Sequence, residues 1–270
     1  MRIPLIMALV VGLFAILIDA FIYYDIKRLW PKKKWPDVVY GISSVLCWAL
    51  ILVVVLLPYR SSGQNIVGIM WCLFTFITIY AAKCVYAIWA LFGMVPKIWK
   101  LSDWRLCRWV GLLSGILVLC TLWWGAMVTR HKIEVVKVTF TSGRLPEAFE
   151  GFRIAQISDL HVGTWGEDTR FISRLVDSVN AYHPDIILFT GDIVNRETSE
   201  LAPFLSTLSR LKAPYGVYSV LGNHDYGDYV DWKHSSEREI NNSLLAAWER
   251  QIGWKVLDNN VPQILFAVKC

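Results

Sequence analysis

The stretch Arg153–Phe171, RIAQISDLHVGTWGEDTRF, decides how the second half of the chain folds. Arg153–Ser158 alternates between inward and outward side chains, as a β-strand does. Asp159 and His161 follow directly, where that strand would end. Thr169–Tyr182 then has the apolar spacing of a helix. The stretch therefore predicts a strand followed by a helix, with a carboxylate and an imidazole at the carboxyl end of the strand.

The same order of strand and helix continues along the chain. Further strands are predicted at Asp185–Phe189 and Val217–Leu221, and further helices at Leu201–Leu211 and Glu237–Ile252. An earlier strand is predicted at Ile133–Thr141, where side chains again alternate. Strands that alternate with helices predict a largely parallel sheet, in which functional groups gather at the carboxyl ends of the strands.

Three successive strand ends carry side chains that can bind metal. Asp159 and His161 follow the first, Asp192 follows the second within GDIVN, and Asn223 follows the third within GNHD. Carboxylate, imidazole and amide carbonyl suit a hard or borderline divalent ion such as Mn²⁺, Fe²⁺ or Zn²⁺. A carboxylate such as Asp192 can bridge two ions, and two ions about 3.5–4 Å apart clamp a phosphoryl group. The pattern predicts a two-metal site.

The blocks DLH, GDIVN and GNHD, in this order and one strand–helix unit apart, resemble the first three signature blocks of the calcineurin-like metallophosphoesterases. The resemblance covers about residues 150–260. GNHDYGDY, together with several N-terminal apolar spans, resembles the bacterial membrane-anchored branch of that family. The implied fold is an α/β/β/α sandwich, of which this chain would supply the first part.

The resemblance implies a role for each metal-competent residue. Asp159 and His161 would hold the first ion, and Asp192 would bridge both. Asn223 would hold the second ion and touch the phosphate. The implied reaction is direct attack of a water-derived nucleophile on phosphorus, without a covalent enzyme intermediate.

The remaining histidines divide into one with an implied role and three without. His224 would not bind metal in the family. It would assist the leaving group or the phosphate, oriented by Asp225, or else lie behind the site as a hydrogen-bonded histidine. His131 and His183 are expected at the surface, and His234, in a polar loop, is expected to be exposed.

The chain departs from the family pattern after GNHD. The family continues with a further histidine block and then Gly-His-x-His, which complete both metal sites, whereas His234 is the one histidine that follows His224 here. We therefore expect a truncated or frameshifted product, a fragment of a longer protein, or a degenerate domain. With the second site incomplete, residues 1–270 are expected to bind at most one metal ion weakly.

The first half of the chain is far more apolar than the second. Hydrophobic residues make up 55% of the chain, which has 14 tryptophans. A bilayer-spanning helix needs about 20 apolar residues. Four segments meet this length: Ile3–Tyr24, Val38–Leu57, Ile66–Phe92 and Trp109–Met127. The first is too long for the apolar part of a signal peptide and lacks a small-residue cleavage site before Asp25. We predict a transmembrane region over 1–130 and a phosphoesterase domain over 131–270, with the boundary near Thr129–Lys132.

Charge places both ends of this region outside the cytoplasm. The loops 25–37 and 93–108 together hold nine lysines and arginines, against two in the N-terminus and the intervening loop. Positive residues keep loops in the cytoplasm. The second half is therefore expected to lie on the extracytoplasmic side of a bacterial cell membrane.

Two ionisable residues lie inside the predicted spans. Asp19 and Lys83 fall at similar depth in the first and third spans. A lone charge at that depth is expensive, so the two are expected to pair, unless each reaches the cytoplasmic interface instead. Such a pair is also the one basis in the sequence for a transporter-like role.

Cysteine usage excludes two other classes of protein. The six cysteines form no CxxC, and a disulfide framework and a zinc finger are both ruled out by their spacing. No nucleic-acid binding is expected, and the oligomeric state stays open.

The resulting hypothesis is a membrane-anchored, metal-dependent phosphoesterase that hydrolyses phosphomonoester or phosphodiester bonds. The short predicted spacer between Met127 and the strand at Ile133 keeps the active edge near the bilayer, which favours a lipid-linked phosphate or pyrophosphate substrate. The alternative is a catalytically inactive membrane protein whose globular half binds a ligand or a partner.

Overall fold

The computed structural model of the chain describes residues 2–56, 66–99 and 102–257. The chain divides into two compact units, Met1–Leu57 with Ile69–Lys132 and Pro58–Gly68 with Ile133–Cys270. Leu57, the last residue of the second predicted span, and the C-terminal residues 258–270 lie outside the described residues.

The first unit is helical. Within the described residues, three helical segments are long and apolar enough to cross a membrane: Trp35–Leu56, Val67–Met94 and Arg105–His131. The helix that precedes them has 28 residues and contains the first predicted span. The four helices are α1 (Arg2–Leu29), α2 (Trp35–Leu56), α3 (Val67–Met94) and α4 (Arg105–Met127).

Small residues bring α3 and α4 into close contact. A Cβ at Gly111 would lie 2.8 Å from the Cβ of Trp89, and a Cβ at Gly115 would lie 2.9 Å from the carbonyl oxygen of Ala82. Helices in a membrane associate mainly through such close backbone approach, because lipid offers them no hydrophobic driving force. These two glycines therefore fix the contact between α3 and α4.

The two basic loops are shorter than the sequence predicts. Because α1 continues to Leu29 and α4 begins at Arg105, Asp25 and Arg108 lie in helices rather than in loops. Arg108 donates from Nε and Nη2 to the Asp25 carboxylate at 2.8–3.0 Å, and the Tyr86 hydroxyl donates to it at 2.8 Å. Asp25 is 0% exposed and Arg108 is 6% exposed. Both carboxylate oxygens of Asp25 are thus hydrogen-bonded, which offsets part of the cost of burying the charges, while Nη1 of Arg108 is buried without a partner within the described structure.

The second unit contains a four-stranded, wholly parallel sheet in the order β1-β2-β3-β4. The connections carry the helices, so the predicted parallel α/β arrangement is confirmed. The strands are β1 (Ile154–Ile157), β2 (Ile186–Phe189), β3 (Val217–Ser219) and β4 (Trp254–Val256). The helices are α5 (Arg170–Ala181), α6 (Leu205–Leu208) and α7 (Ser235–Gln251).

One apolar core fixes the sheet and its helices. Ile172 and Val176, one turn apart on α5, are fully buried against Ile187 and Phe189 of β2, and Leu245 of α7 joins the same cluster. Burial of this size stabilises by roughly 1.5–3 kcal/mol per large side chain. The core therefore holds the carboxyl ends of β1, β2 and β3 in fixed positions.

The predicted strand at Ile133–Thr141 is wrong for the described structure. Residues 132–142 have no regular structure, and Val138 and Phe140 are 85% and 77% exposed. An alternating pattern stabilises a strand only where a neighbour accepts its hydrogen bonds, and within the described residues the sheet consists of β1–β4. The second sheet of the expected sandwich is likewise not formed by the described residues.

The predicted helix at Leu201–Leu211 is also wrong in its extent. The chain forms a 3-10 helix over Thr198–Phe204 and only then the short α6. Pro203 lies inside this segment and has no N–H to donate. Strand β4 was not predicted, since three residues are too few to show an alternating pattern.

Candidate metal centre

The loops after β1 and β2 lie side by side at the carboxyl edge of the sheet. The N–H of Asp159 donates to the carbonyl of Gly191 at 3.0 Å, and the N–H of Val162 donates to that of Ile193 at 2.9 Å. These hydrogen bonds continue the contact between β1 and β2 beyond the strands. The DLH and GDIVN blocks are thereby held against each other.

Three residues of these loops have a left-handed backbone. φ is +56° at Asp159, +42° at His161 and +59° at Asp192. Residues other than glycine seldom occupy this region, which costs on the order of 1–3 kcal/mol each and is often found at functional sites. The tertiary structure holds all three against that preference.

Two glycines allow the loops after β2 and β3 to touch. Gly191 has φ +100°, and a Cβ there would lie 2.5 Å from the backbone nitrogen of Gly222. A Cβ at Gly222 would collide with the Asp192 carboxylate. Only glycine fits at these positions, so the glycines of GDIVN and GNHD are needed to bring the two blocks together.

His161, Asp192 and His224 form the closest group of metal-competent side chains in the described residues. One ligand atom of each lies within 4.8 Å of the others, and all three are partly buried. The two imidazole rings meet edge to face, with centroids 4.6 Å apart. Two imidazoles and a carboxylate suit Zn²⁺, Fe²⁺ or Mn²⁺. The donor set therefore fits a divalent metal ion.

Both histidines are oriented by backbone carbonyls of the GDIVN loop. Nδ1 of His161 lies 3.2 Å from the oxygen of Val194, and Nδ1 of His224 lies 2.7 Å from the oxygen of Asn195. A carbonyl can only accept, so each Nδ1 carries the proton in these hydrogen bonds. The Nε2 atoms are left as acceptors in the neutral rings. Metal-binding histidines are commonly fixed in this way.

Asp159 and Asn223 stand at the exposed edge of this group. The side chain of Asp159 is 63% exposed, and its Oδ1 lies 3.8 Å from Nε2 of His161. Asn223 is exposed and donates from Nδ2 to the hydroxyl of Tyr229 at 3.0 Å. The structure thus brings His161, Asp192 and His224 together and leaves two of the four implied ligands beside them.

Asp225 links the loop after β2 to the loop after β3 by hydrogen bonds to their backbones. Its Oδ1 accepts from the N–H groups of Ile193 and Val194, and its Oδ2 from those of Asp192 and Gly222, at 2.8–3.2 Å. The side chain is fully buried. Burial raises the pKa of this carboxyl, although the hydrogen bonds from the N–H groups of Gly222, Val194 and Asp192 act in the opposite direction.

This geometry gives Asp225 other partners than the resemblance implies. The ring nitrogen of His224 is held by the carbonyl of Asn195, whereas Asp225 bonds to backbone amides of the surrounding loops. Asp225 therefore sets the position of the loop that carries His224, and Asn195 sets the orientation of its ring.

Two residues of the site were not identified from the sequence. Glu200 accepts from the backbone N–H groups of Asn195 and Arg196 at 2.6 and 3.2 Å, and burial raises the pKa of its carboxyl. The ring of Tyr229 stacks on His224 with centroids 4.2 Å apart. Neither residue stands at a strand end, which is the feature that singled out the others.

The other histidines lie apart from the metal-competent group. His183 and His234 are exposed, and His131 is partly buried in a 3-10 turn. None of the three belongs to the cluster of His161, Asp192 and His224.

A separate polar cluster lies between α1, α2 and α3. Nζ of Lys83 lies 2.7 Å from Oδ1 of Asp19, and both side chains are largely buried. The structure therefore brings the two predicted residues together. The other donors to Asp19, at 2.6–3.3 Å, are Tyr40, Ser44, Trp48 and Tyr80.

Two family models match the chain. Residues 152–266 match the model described as calcineurin-like phosphoesterase, and residues 1–130 match that described as probable calcineurin-like phosphoesterase, transmembrane domain. No solved structure matches the chain.

Several curated proteins are similar over about a third of this chain. The uncharacterized metallophosphoesterase YkuE of Bacillus subtilis is 37% identical over 37% of this chain and 35% of its own length. The UDP-2,3-diacylglucosamine pyrophosphatase LpxG of Chlamydia muridarum is 40% identical over 36% of this chain and 30% of its own length. A Danio rerio transmembrane protein with metallophosphoesterase domain is 34% identical over 37% and 23%. The matched region thus spans about a third or less of these relatives.

Proposed function

Because the chain belongs to the calcineurin-like phosphoesterases, a family of hydrolases, we propose that it is a membrane-anchored, metal-dependent enzyme that hydrolyses phosphomonoester or phosphodiester bonds. The observation that carries this proposal is the group of His161, Asp192 and His224 at the carboxyl edge of a parallel sheet. The imidazole of His161 and the carboxylate of Asp192 fit a divalent ion, and both residues are held in a left-handed backbone conformation.

The site residues divide the work between metal binding and proton transfer. Asp159, His161, Asp192 and Asn223 would hold the metal. Divalent ions supply positive charge to the phosphate and lower the pKa of a bound water. His224 keeps its Nδ1 proton on the carbonyl of Asn195, so Nε2 is the atom free to exchange a proton. The ring would first take up a proton on Nε2 to become an imidazolium and would then give that proton to the leaving oxygen.

The test is the effect of Asp192→Asn on Mn²⁺-dependent hydrolysis of bis-p-nitrophenyl phosphate by the full natural chain. Asp192 is the acidic member of the group, so its loss should cost more than the ~10–100-fold typical of residues that only support ligands. Asp228→Asn is the matched control, because Asp228 is exposed and pairs with Arg238. Equal activity of the two variants would contradict the proposal.

Mn²⁺ binding separates this proposal from an inactive, ligand-binding domain. We expect the protein to bind Mn²⁺, and His161→Ala to abolish that binding. Binding retained in His224→Gln with hydrolysis lost in the full natural chain would place His224 at the leaving group. Loss of Mn²⁺ binding in that variant would make His224 a ligand. A wild-type chain that binds no Mn²⁺ favours the inactive alternative.

A lipid-linked phosphate or pyrophosphate is the substrate class we favour. The support is the match of residues 1–130 to a transmembrane domain and the similarity to LpxG, whose name describes a pyrophosphatase acting on UDP-2,3-diacylglucosamine. The short spacer predicted from the sequence does not support this substrate class, because residues 128–153 separate α4 from β1.

We further propose that residues 1–130 anchor the protein in a bacterial cell membrane, with residues 131–270 on the extracytoplasmic side. The charge of the loops supports this orientation. Within the membrane region, Asp19 and Lys83 would stabilise the helices rather than carry a solute, because Asp19 already accepts hydrogen bonds on both oxygens.

A further inference from the structure

Tyr229 contacts two consecutive residues of the metal centre at once. Its ring lies almost flat on the ring of His224, with 4.2 Å between centroids and 16° between planes. Its hydroxyl accepts a hydrogen bond from Nδ2 of Asn223 at 3.0 Å. One side chain therefore restrains both the amide and the imidazole of the GNHD block.

The stacked ring completes the restraint on His224. The bond from Nδ1 to the carbonyl of Asn195 fixes the imidazole within its plane but permits tilting about that bond. Tyr229 covers one face of the ring, and the ring of His161 meets it edge to face at 4.6 Å. With these contacts the ring has one orientation, and Nε2 has one position.

The hydroxyl of Tyr229 also occupies the nitrogen end of the Asn223 amide. An amide carries a donor nitrogen and an acceptor oxygen. Because Nδ2 is used by the hydroxyl, Oδ1 is the atom left for a ligand. Oxygen is the end of an amide that binds a divalent ion.

The loop that carries Tyr229 is anchored without it. Nε1 of Trp232 donates to the carbonyl of Gly227 at 2.6 Å, and Val230 is 5% exposed. Tyr229 itself is 40% exposed, so its side chain adds little to the core. Its hydrogen bond and its ring contact described above are both to site residues.

We propose that Tyr229 is a positioning residue that presents Oδ1 of Asn223 and Nε2 of His224 to the metal and the phosphate. This inference rests on the proposed function, since it assigns Tyr229 to that same site. Phenylalanine at this position keeps the stacking and loses the bond to Asn223. Leucine loses both.

The experiment compares Tyr229→Phe and Tyr229→Leu with Tyr226→Phe and Tyr226→Leu in the full natural chain in detergent. Tyr226 is 47% exposed and lies in the same loop, which makes it a matched control. Mn²⁺ binding is followed by the spectroscopic signal of free Mn²⁺, kcat and KM by hydrolysis of bis-p-nitrophenyl phosphate, and folding by the thermal midpoint of the metal-free protein.

We expect Tyr229→Leu to weaken Mn²⁺ binding and lower kcat by about 10-fold or more, as removal of a supporting residue does. Tyr229→Phe should recover part of kcat while Mn²⁺ binding stays weak, because only the bond to Asn223 is missing. The thermal midpoint and KM should change little. If Tyr229→Leu does not fold, Tyr229→Phe decides the question.

Mn²⁺ binding and kcat in the Tyr229 variants equal to those of the Tyr226 variants would overturn the inference while leaving the proposed function intact. An equal loss in Tyr229→Phe and Tyr229→Leu that follows a lowered thermal midpoint would make the role structural and also overturn it. A wild-type protein that binds no Mn²⁺ and does not hydrolyse the substrate would refute the proposed function, and the role of Tyr229 with it.

Discussion

Two buried carboxyl groups in the second unit are satisfied to different degrees. Asp225 has four backbone N–H partners, whereas Glu249 on α7 accepts a short hydrogen bond from the hydroxyl of Ser219 on Oε2 and has no hydrogen-bond partner for Oε1 within the described structure. Both are fully buried. Burial raises the pKa of Glu249 to about 7, and the nearby charge of Asp225 adds to this shift.

Glu249 should make stability depend on pH. Its folded pKa of about 7 lies above its ordinary value of 4.5, so the folded state binds the proton more tightly. The contribution of Glu249 to the free energy of unfolding is complete below pH 4.5 and is lost as pH rises through about 7. At 1.36 kcal/mol per unit, it amounts to about 3 kcal/mol.

Thermal midpoints of the full chain measured between pH 4.5 and 8 check this expectation. The midpoint of the wild type should fall with rising pH by several degrees more than that of Glu249→Gln, which cannot ionise. Glu239→Gln is the control, because Glu239 lies exposed on the same helix. Parallel pH profiles for the wild type and Glu249→Gln would show that Glu249 does not titrate in this range.

At the scale of single residues, the site side chains at the strand ends could be predicted from the sequence. The backbone groups to which they bond could not. Asp192 and His224 follow strands in the sequence, and the edge of a parallel sheet brings them together. The carbonyl of Asn195 and the amides bound by Asp225 carry no signal in the sequence, because every residue has the same backbone groups.

Among the elements, those with a clear apolar period were predicted within a few residues. Thr169–Tyr182 became Arg170–Ala181, and Glu237–Ile252 became Ser235–Gln251. Strands were predicted less reliably, because a strand also depends on a neighbour that the local pattern does not show. Ile133–Thr141 was predicted as a strand and has no regular structure, whereas β4 was not predicted. The pairing of Asp25 with Arg108 was missed because both lie near helix ends, where charge is usually counted as loop.

The contact between α1 and α3 should respond to the charge on Asp19. Lys83→Met leaves a carboxylate with only neutral donors, and breaking a buried pair costs about 3–5 kcal/mol in soluble proteins. Asp19→Asn combined with Lys83→Met removes both charges and should cost less than Lys83→Met alone. Unfolding in detergent, followed by tryptophan fluorescence, measures these differences.

Lys27→Met is the control for this pair. Lys27 lies 2.6 Å from Asp37, but its side chain is 47% exposed. Exposed pairs contribute little to stability because solvent screens them, so this variant should resemble the wild type. Strictly additive losses at Asp19 and Lys83 would mean that the two residues act independently.

At the scale of the whole molecule, composition predicted a membrane region and the order of strands and helices predicted a parallel sheet. Both follow from patterns repeated over many residues, which single misassignments do not remove. Orientation in the membrane rests on charge alone. Arg108 does not count among the loop charges, because it is buried in an ion pair with Asp25 instead of lying in a loop.

The remaining loop charge should still set the orientation. A reporter enzyme that folds only outside the cytoplasm, fused after Arg130, should be active, and the same reporter fused after Lys34 should be inactive. Lys32, Lys33 and Lys34 remain between α1 and α2 and resist translocation. The reverse pattern of activities would place the second unit in the cytoplasm.

The exposed, irregular segment at residues 132–142 also has a consequence for how such genes can be assembled. It lies in the interval between the two family matches, which end at residue 130 and begin again at residue 152. A recombination breakpoint there would interrupt no helix or strand of the described structure. Lengthening a flexible connection costs only about 0.6 kcal/mol for each doubling. A gene of this family could thus exchange the region that encodes its first unit for another by a single crossover, with little constraint on the number of codons at the junction.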